Sequence, residues 1–298
     1  MPWPWQFRVG VFLSLRVSDT NNTAKPGNVH TLGNSGPTST MSARFFVETP
    51  VQGERATLVD SEAHHLLHVL RGKVGDAVTL FDDTGNEYDA TVVKTSRATV
   101  DVEIQATRVV DRELPRPVVL GVALPKGDRQ KWLVEKLVEL GTTRLVPLVT
   151  RRGVVQPEGG TLEKLRRSVI EASKQCGRNR LLSIDSPVEW SRFVADAPAE
   201  ALRRVAHPPA LWPANYDASP NEGGSDLASW TSRVAASEPH RPLWLAVGPE
   251  GGFTDEEIDQ AIAGGWRPIA LGTRILRIET AAIALAAASA AGCEAPLT

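Results

Sequence analysis

Leu243-Trp244-Leu245-Ala246-Val247-Gly248-Pro249-Glu250-Gly251-Gly252-Phe253-Thr254 is the stretch on which the reading of the fold turns. Five consecutive apolar residues read as a strand buried on both faces, the habit of a parallel sheet. Three glycines and a proline end the strand. Thr254 and Glu257 then form a capping box that opens a helix running to Ala263. Ligands in open α/β sheets bind beyond the carboxyl ends of the strands. Glycines at such an edge admit a ligand close to the backbone and supply positive φ angles. Neither GxxxxGK[ST] nor GxGxxG is present, so the residues of a nucleotide-phosphate loop are missing. Taken alone, the segment reads best as a tight strand-to-helix turn.

The same rhythm extends in both directions. Val118–Leu124 is a continuous apolar strand, Asp128–Leu140 an amphipathic helix ending at Gly141, Leu145–Val149 a strand and Thr161–Gln175 a basic amphipathic helix. Asp196–Pro242, rich in Ala, Pro, Gly and Ser, offers a strand near Arg203–His207 and then a long loop. Pro268–Leu271 is a further strand and Thr280–Ala291 an Ala-rich final helix. Upstream the period falls to two, with strands at Ala77–Phe81, Glu87–Lys94 and Ala98–Ile104 and a turn at Asp82–Asn86. A helix at Glu62–Leu70 closes at Gly72. These features predict a small, mostly antiparallel β barrel, residues 41–112, and an α/β domain, residues 117–298, joined by the proline-bearing linker Asp111–Pro117.

Residues 1–40 stand apart. Val9–Leu15 is apolar, but only Arg8 precedes it as a charge and no small-residue cleavage site follows, which argues against a secretory signal. Met1 and Met41 are the two methionines. Residues 1–40 are therefore expected to be a disordered extension or the product of an upstream start codon.

Composition excludes several classes. The 298 residues are 42% hydrophobic and 23% charged, ordinary for a globular protein, and no apolar run approaches the ~20 residues of a membrane span. Cys176 and Cys293 lie far apart and make neither a disulfide framework nor a CxxC zinc pair, so a reducing cytoplasm is expected. The net charge of −2 gives no global case for nucleic acid, yet Lys126 to Arg180 holds 13 Lys and Arg against 6 Asp and Glu. That excess suits an RNA-binding face or a solvated helix surface equally well.

A second glycine-bearing loop is Leu271-Gly272-Thr273-Arg274-Ile275-Leu276-Arg277-Ile278-Glu279-Thr280. Arg277 and Glu279 read either as a structural ion pair or as catalytic groups. Two such loops at adjacent strand ends, both lacking phosphate chemistry, suit a cofactor held through backbone amides. His65 and His207 are candidates for touching RNA or cofactor, although a lone histidine is more often structural.

Together the two loops resemble the paired signature of the RsmE-type ribosomal RNA methyltransferases of the SPOUT superfamily. Lys126-Gly127, Glu139-Leu140-Gly141, Pro147-Leu148, Glu171-Ala172, Gln175-Cys176-Gly177-Arg178-Asn179-Arg180, His68-Val69-Leu70-Arg71 and Gly75-Asp76 extend the resemblance over roughly Arg44 to Ala291. It implies a parallel α/β sheet with a deep C-terminal trefoil knot, an N-terminal PUA-like β-barrel domain that helps hold RNA, and a homodimer. The implied activity is S-adenosylmethionine-dependent methylation of N3 of one uridine in 16S ribosomal RNA of the small subunit. The implied cofactor residues are Val247, Gly248, Glu250, Gly251, Leu271, Gly272, Leu276 and Ile278. Because the sulfonium methyl is already an activated electrophile, no metal is required; alignment and a deprotonated N3 must be supplied. Arg277 is the candidate to stabilise the uracil anion, and Glu279 to orient that arginine or pass on the proton. Arg44, Arg71, Lys126, Arg178 and Arg180 are the expected phosphate contacts.

Lys174 stands where the family often has an acidic residue, Leu182-Ser183 replaces a common Pro-acidic pair, Gly153 a frequent serine, and Asp196–Pro242 matches poorly. Two rivals remain: a ribose 2′-O-methyltransferase of the same superfamily, and a non-catalytic RNA-binding or ribosome-assembly protein on the same fold.

Overall fold

The structure, a computed structural model, describes residues 43–154, 159–213, 216 and 225–294. The expectation for residues 1–40 lies outside the described residues, as does part of the expected loop between Asp196 and Pro242.

The N-terminal sheet contains β1 (Arg44–Phe46), β2 (Arg55–Leu58), β3 (Ala77–Phe81), β4 (Asn86–Thr95) and β5 (Val100–Val109) in the order β1-β3-β4-β5-β2. Three of its four pairings are antiparallel; β1 with β3 is parallel. Phe45, Leu58, Leu66, Leu80, Tyr88, Val92 and Val102 fill its core. The expected helix is present as α1 (Asp60–His64), which continues into a π-helical turn, His65–Val69.

The second sheet is wholly parallel, which bears out the reading of its apolar runs. Its strands are β6 (Val118–Val122), β7 (Arg144–Val149), β8 (Ser183–Ile184), β10 (Leu202–Ala206), β11 (Leu243–Val247) and β12 (Arg267–Ile269), ordered β12-β10-β11-β6-β7-β8, with the short β9 (Val188–Glu189) also on β7. Helices cover both faces. On one lie α2 (Arg129–Glu139), α3 (Gly159–Cys176), α5 (Leu227–Ala235) and α7 (Ile278–Cys293), packed over Leu120, Leu245 and Val247. On the other lie α4 (Trp190–Asp196) and α6 (Asp255–Ala263), over Val119, Val205, Trp244 and Ala246. The Gly141 cap is as expected: its φ is +75°, and the Gly141 and Thr142 N–H groups donate to the Val138 and Leu137 carbonyls at 3.1 and 3.0 Å, closing α2 in a Schellman-like turn.

One expectation about the elements requires correction. Leu227–Ala235, inside the stretch read as loop, is a helix. Asp226 caps it, accepting from Ser229 N–H at 2.9 Å, and Trp230 is fully buried against α7, its Nε1 donating to Ser289 Oγ at 2.8 Å. The final helix packs closely on α5: a Cβ at Gly292 would stand 2.7 Å from the Thr231 carbonyl.

Candidate functional site

The strand order sets the geometry of the site. β10 lies between β11 and β12, so the two glycine loops flank the end of a third strand rather than following neighbouring strands, as the sequence suggested. The reading erred because local pattern carries no information on which strands pair.

The first loop folds back on itself. A Cβ at Gly248 would come within 2.9 Å of the Phe253 ring, and Phe253 is buried with its centroid 4.3 Å from that of Trp190. Gly252, at φ +67°, donates to the Pro249 carbonyl at 2.8 Å. The expected capping box is present: Thr254 N–H donates to Glu257 Oε2 at 2.8 Å and Glu257 N–H to Thr254 Oγ1 at 3.3 Å. From beyond β7, Arg152 Nη1 donates to the Gly251 and Phe253 carbonyls at 3.0 and 3.3 Å, and the Arg151 N–H to Glu257 Oε1 at 2.9 Å. Loop carbonyls are thus occupied from within the protein. Val247 is buried, while Glu250 and Gly251 are exposed.

The second loop is open. Gly272 has φ +108° and nothing lies within 4 Å of the place a Cβ would take. Thr273, Arg274 and Ile275 are exposed, Leu271 and Leu276 half-buried and Ile278 buried. Arg277 caps α7 through its backbone alone. Its side chain is exposed, with no hydrogen bond or ion pair among the described residues.

Glu279 is buried and does not pair with Arg277. Its partner is Arg129, at the start of α2, whose Nη1 lies 3.6 Å from Glu279 Oε2. Arg129 Nη2 lies 3.6 Å from Glu250 Oε1, so one guanidinium links both loops. These separations give charge attraction without a hydrogen bond, and Glu279 Oε2 keeps no hydrogen-bond partner among the described residues. The sequence reading missed Arg129. Its signal was its place three residues past Lys126, where β6 passes into α2.

The five expected phosphate contacts separate into two groups. Arg71, Lys126 and Arg180 are exposed. Arg44 and Arg178 are not. Arg178 is 3% exposed and bonds to Glu113, with Nη1 donating to the Val138 and Thr142 carbonyls at 3.0 Å each. Arg44 pairs with Glu87 and donates to Asn179 Oδ1 at 2.7 Å. Both join the N-terminal sheet and linker to the α3–β8 loop, and neither offers the solvent face a phosphate requires.

Of the two histidines, His65 packs edge-on against Phe45 inside the small domain. His207 stands at the end of β10, 3% exposed. Burial pushes its imidazole below the ordinary 6.5, against the opposing pull of the Leu211 carbonyl and Asp255.

Residues 112–290 match the RNA methyltransferase domain family, and residues 58–105 the RNA methyltransferase PUA domain. The chain is 35% identical over 227 residues to the ribosomal RNA small subunit methyltransferase E of Synechocystis, covering 76% of this chain and 69% of that protein. Among solved structures, a Legionella pneumophila methyltransferase with bound S-adenosylmethionine superposes with a TM-score of 0.68 at 30% identity, covering 84% of this chain and 96% of that one. The S-adenosylmethionine-bound ribosomal RNA small subunit methyltransferase E of Neisseria gonorrhoeae gives 0.69 at 27% identity, covering 83% and 96%.

Proposed function

Given that the chain belongs to the ribosomal RNA small subunit methyltransferase E family, we propose that it transfers the methyl group of S-adenosylmethionine to N3 of a uridine in 16S ribosomal RNA. The observation that carries the reading is the pair of glycine loops flanking the end of β10. The site fits the cofactor physically. Two buried acceptors, Glu279 Oε2 and His207 Nδ1, lack hydrogen-bond partners among the described residues, and Gly272 leaves open space at the second loop. Buried acceptors are costly when unpaired, and a ligand rich in N–H and O–H groups would satisfy them.

Val247, Gly248, Glu250, Gly251, Leu271, Gly272, Leu276 and Ile278 form the pocket in this reading. When bound, the cofactor supplies an electrophilic methyl. The chain must supply alignment and manage the N3 proton. Arg277, exposed and unpaired, stabilises the uracil anion; Glu279 passes on the proton, with the positive charge of Arg129 beside it. Arg71, Lys126 and Arg180 hold phosphates. Residues 41–112 act as the RNA-holding domain and 117–298 as the catalytic one, acting as a homodimer in the cytoplasm, where ribosomal RNA is found. In this reading the C-terminal region is a trefoil knot.

Mapping N3-methyluridine in 16S ribosomal RNA from cells with and without this gene tests the substrate. Loss of one N3-methyluridine is the expected outcome; loss of a 2′-O-methyl mark instead would establish the ribose-directed rival. Arg277→Ala should lower turnover by about 10²–10⁴-fold, the usual weight of such a group, while leaving S-adenosylmethionine affinity near that of the parent chain.

A further inference from the structure

β10 is the middle strand of the three that frame the site, and it ends at Ala206, paired to Val247 on one side and Ile269 on the other. His207 follows immediately, and its N–H donates to the Ile269 carbonyl at 3.1 Å. It therefore stands between the roots of the two glycine loops. Side chains alternate along a strand. Val205 packs with Ala246, Phe253 and Ile258, so His207 falls on that same face, toward α6, whose first residue Asp255 is near enough to act on its charge.

The ring's tautomer follows from its bond to Leu211. Nε2 lies 3.1 Å from the Leu211 carbonyl, which only accepts, so Nε2 carries the proton. In the neutral ring Nδ1 is then a bare acceptor. It is buried and has no hydrogen-bond partner among the described residues. A side chain this enclosed rarely leaves an acceptor unmatched, and such exceptions call for a missing partner.

We propose that His207 Nδ1 accepts a hydrogen bond from the nucleoside half of S-adenosylmethionine, through an adenine amino or ribose hydroxyl hydrogen. The inference rests on the methyltransferase reading above. The two halves of the cofactor differ in charge, and so do the groups that face them. The exposed carboxylate of Glu250 suits the cationic amino-acid end, whereas a neutral, dry acceptor suits a neutral donor.

Two substitutions separate this role from a structural one, because each keeps one end of the imidazole. His207→Gln places an amide near the Nε2 position and retains the bond to Leu211 while losing the δ acceptor. His207→Asn keeps an oxygen near Nδ1 and loses the reach to Leu211. Titration calorimetry of the full chain with S-adenosylmethionine and with 5′-methylthioadenosine, alongside thermal melts without ligand, reads both. His207→Gln should melt close to the parent and bind both ligands at least about 5-fold more weakly. His207→Asn should melt lower and keep the greater share of affinity. Parental affinity in His207→Gln for both ligands overturns this assignment alone. A parent chain that binds neither ligand overturns it together with the methyltransferase reading. A loss confined to S-adenosylmethionine, with methylthioadenosine binding intact, also overturns it, by moving His207 to the amino-acid end.

Discussion

Lys174, read in the sequence as a departure from the family pattern, is held between two carboxylates. Its ammonium lies 3.0 Å from Glu62 Oε1 and 3.1 Å from Glu171 Oε1, and Glu62 uses its other oxygen to accept the Phe46 N–H at 3.1 Å. The side chains of Lys174 and Glu62 are 8% and 12% exposed, so an acid at 174 would put like charges together out of water. Lys174→Glu should destabilise the chain by about 3–5 kcal/mol, seen as a lower melting temperature. Adding Glu62→Lys should return part of the loss. The departure was legible in the sequence; its partner, 112 residues away, was not. The same holds for Arg44 and Arg178. Their charge was plain and their burial was not, because burial belongs to the tertiary structure. Arg129 offers a further check at this scale. Arg129→Ala removes the guanidinium that links the two loops through Glu250 and Glu279, and the loss of that positioning should weaken S-adenosylmethionine binding measurably by calorimetry, by roughly 1–3 kcal/mol.

Among the elements, those with strong local patterns were readable. The apolar runs of β6 and β11, the capping box of α6 and the Gly141 stop of α2 each carry their physical cause within a few residues. α5 does not. Leu227–Ala235 contains Ser, Thr and Trp, poor helix formers by propensity, and its Asp226 cap lies in a stretch dominated by loop-forming residues. Its stability comes from contact with α7, through Trp230 and through Gly292, where a Cβ would also stand 2.7 Å from Val234 Cβ. Gly292→Ala should therefore cost about 1–3 kcal/mol by overpacking, measured by urea unfolding. A substitution without effect would show that α5 can move away from α7 freely.

Across the whole molecule, the small domain and the α/β domain meet through polar groups. Glu87 on β4 is the centre of this seam. It pairs with Arg44, with Arg108 at 3.2 Å and with Arg112 at 3.3 Å, and Arg112 also donates to the Gly177 carbonyl at 2.7 Å. Burial alone would raise the Glu87 carboxyl; the hydrogen bonds and charges of Arg44 and Arg112 outweigh it and hold the group below its ordinary 4.5. A depressed carboxylate contributes stability that is present above 4.5 and is lost as pH falls through the depressed value. Acidification below 4.5 should therefore loosen residues 177–181 before β11, as measured by amide hydrogen exchange. Glu87→Gln should remove much of that pH dependence.

β6 pairs in register with β11, Val118 against Leu243, two positions 125 residues apart in the chain. During synthesis at about 5–20 residues per second, β6 leaves the ribosome roughly 6–25 s before its central partner. Its other neighbour, β7, arrives within thirty residues. The nascent chain thus has an interval in which one flank of its most apolar strand is an open edge. Strands in that condition are where chains of different copies join by mistake. The order of the sheet makes the timing of translation, as much as the final contacts, a determinant of how much active protein a cell obtains.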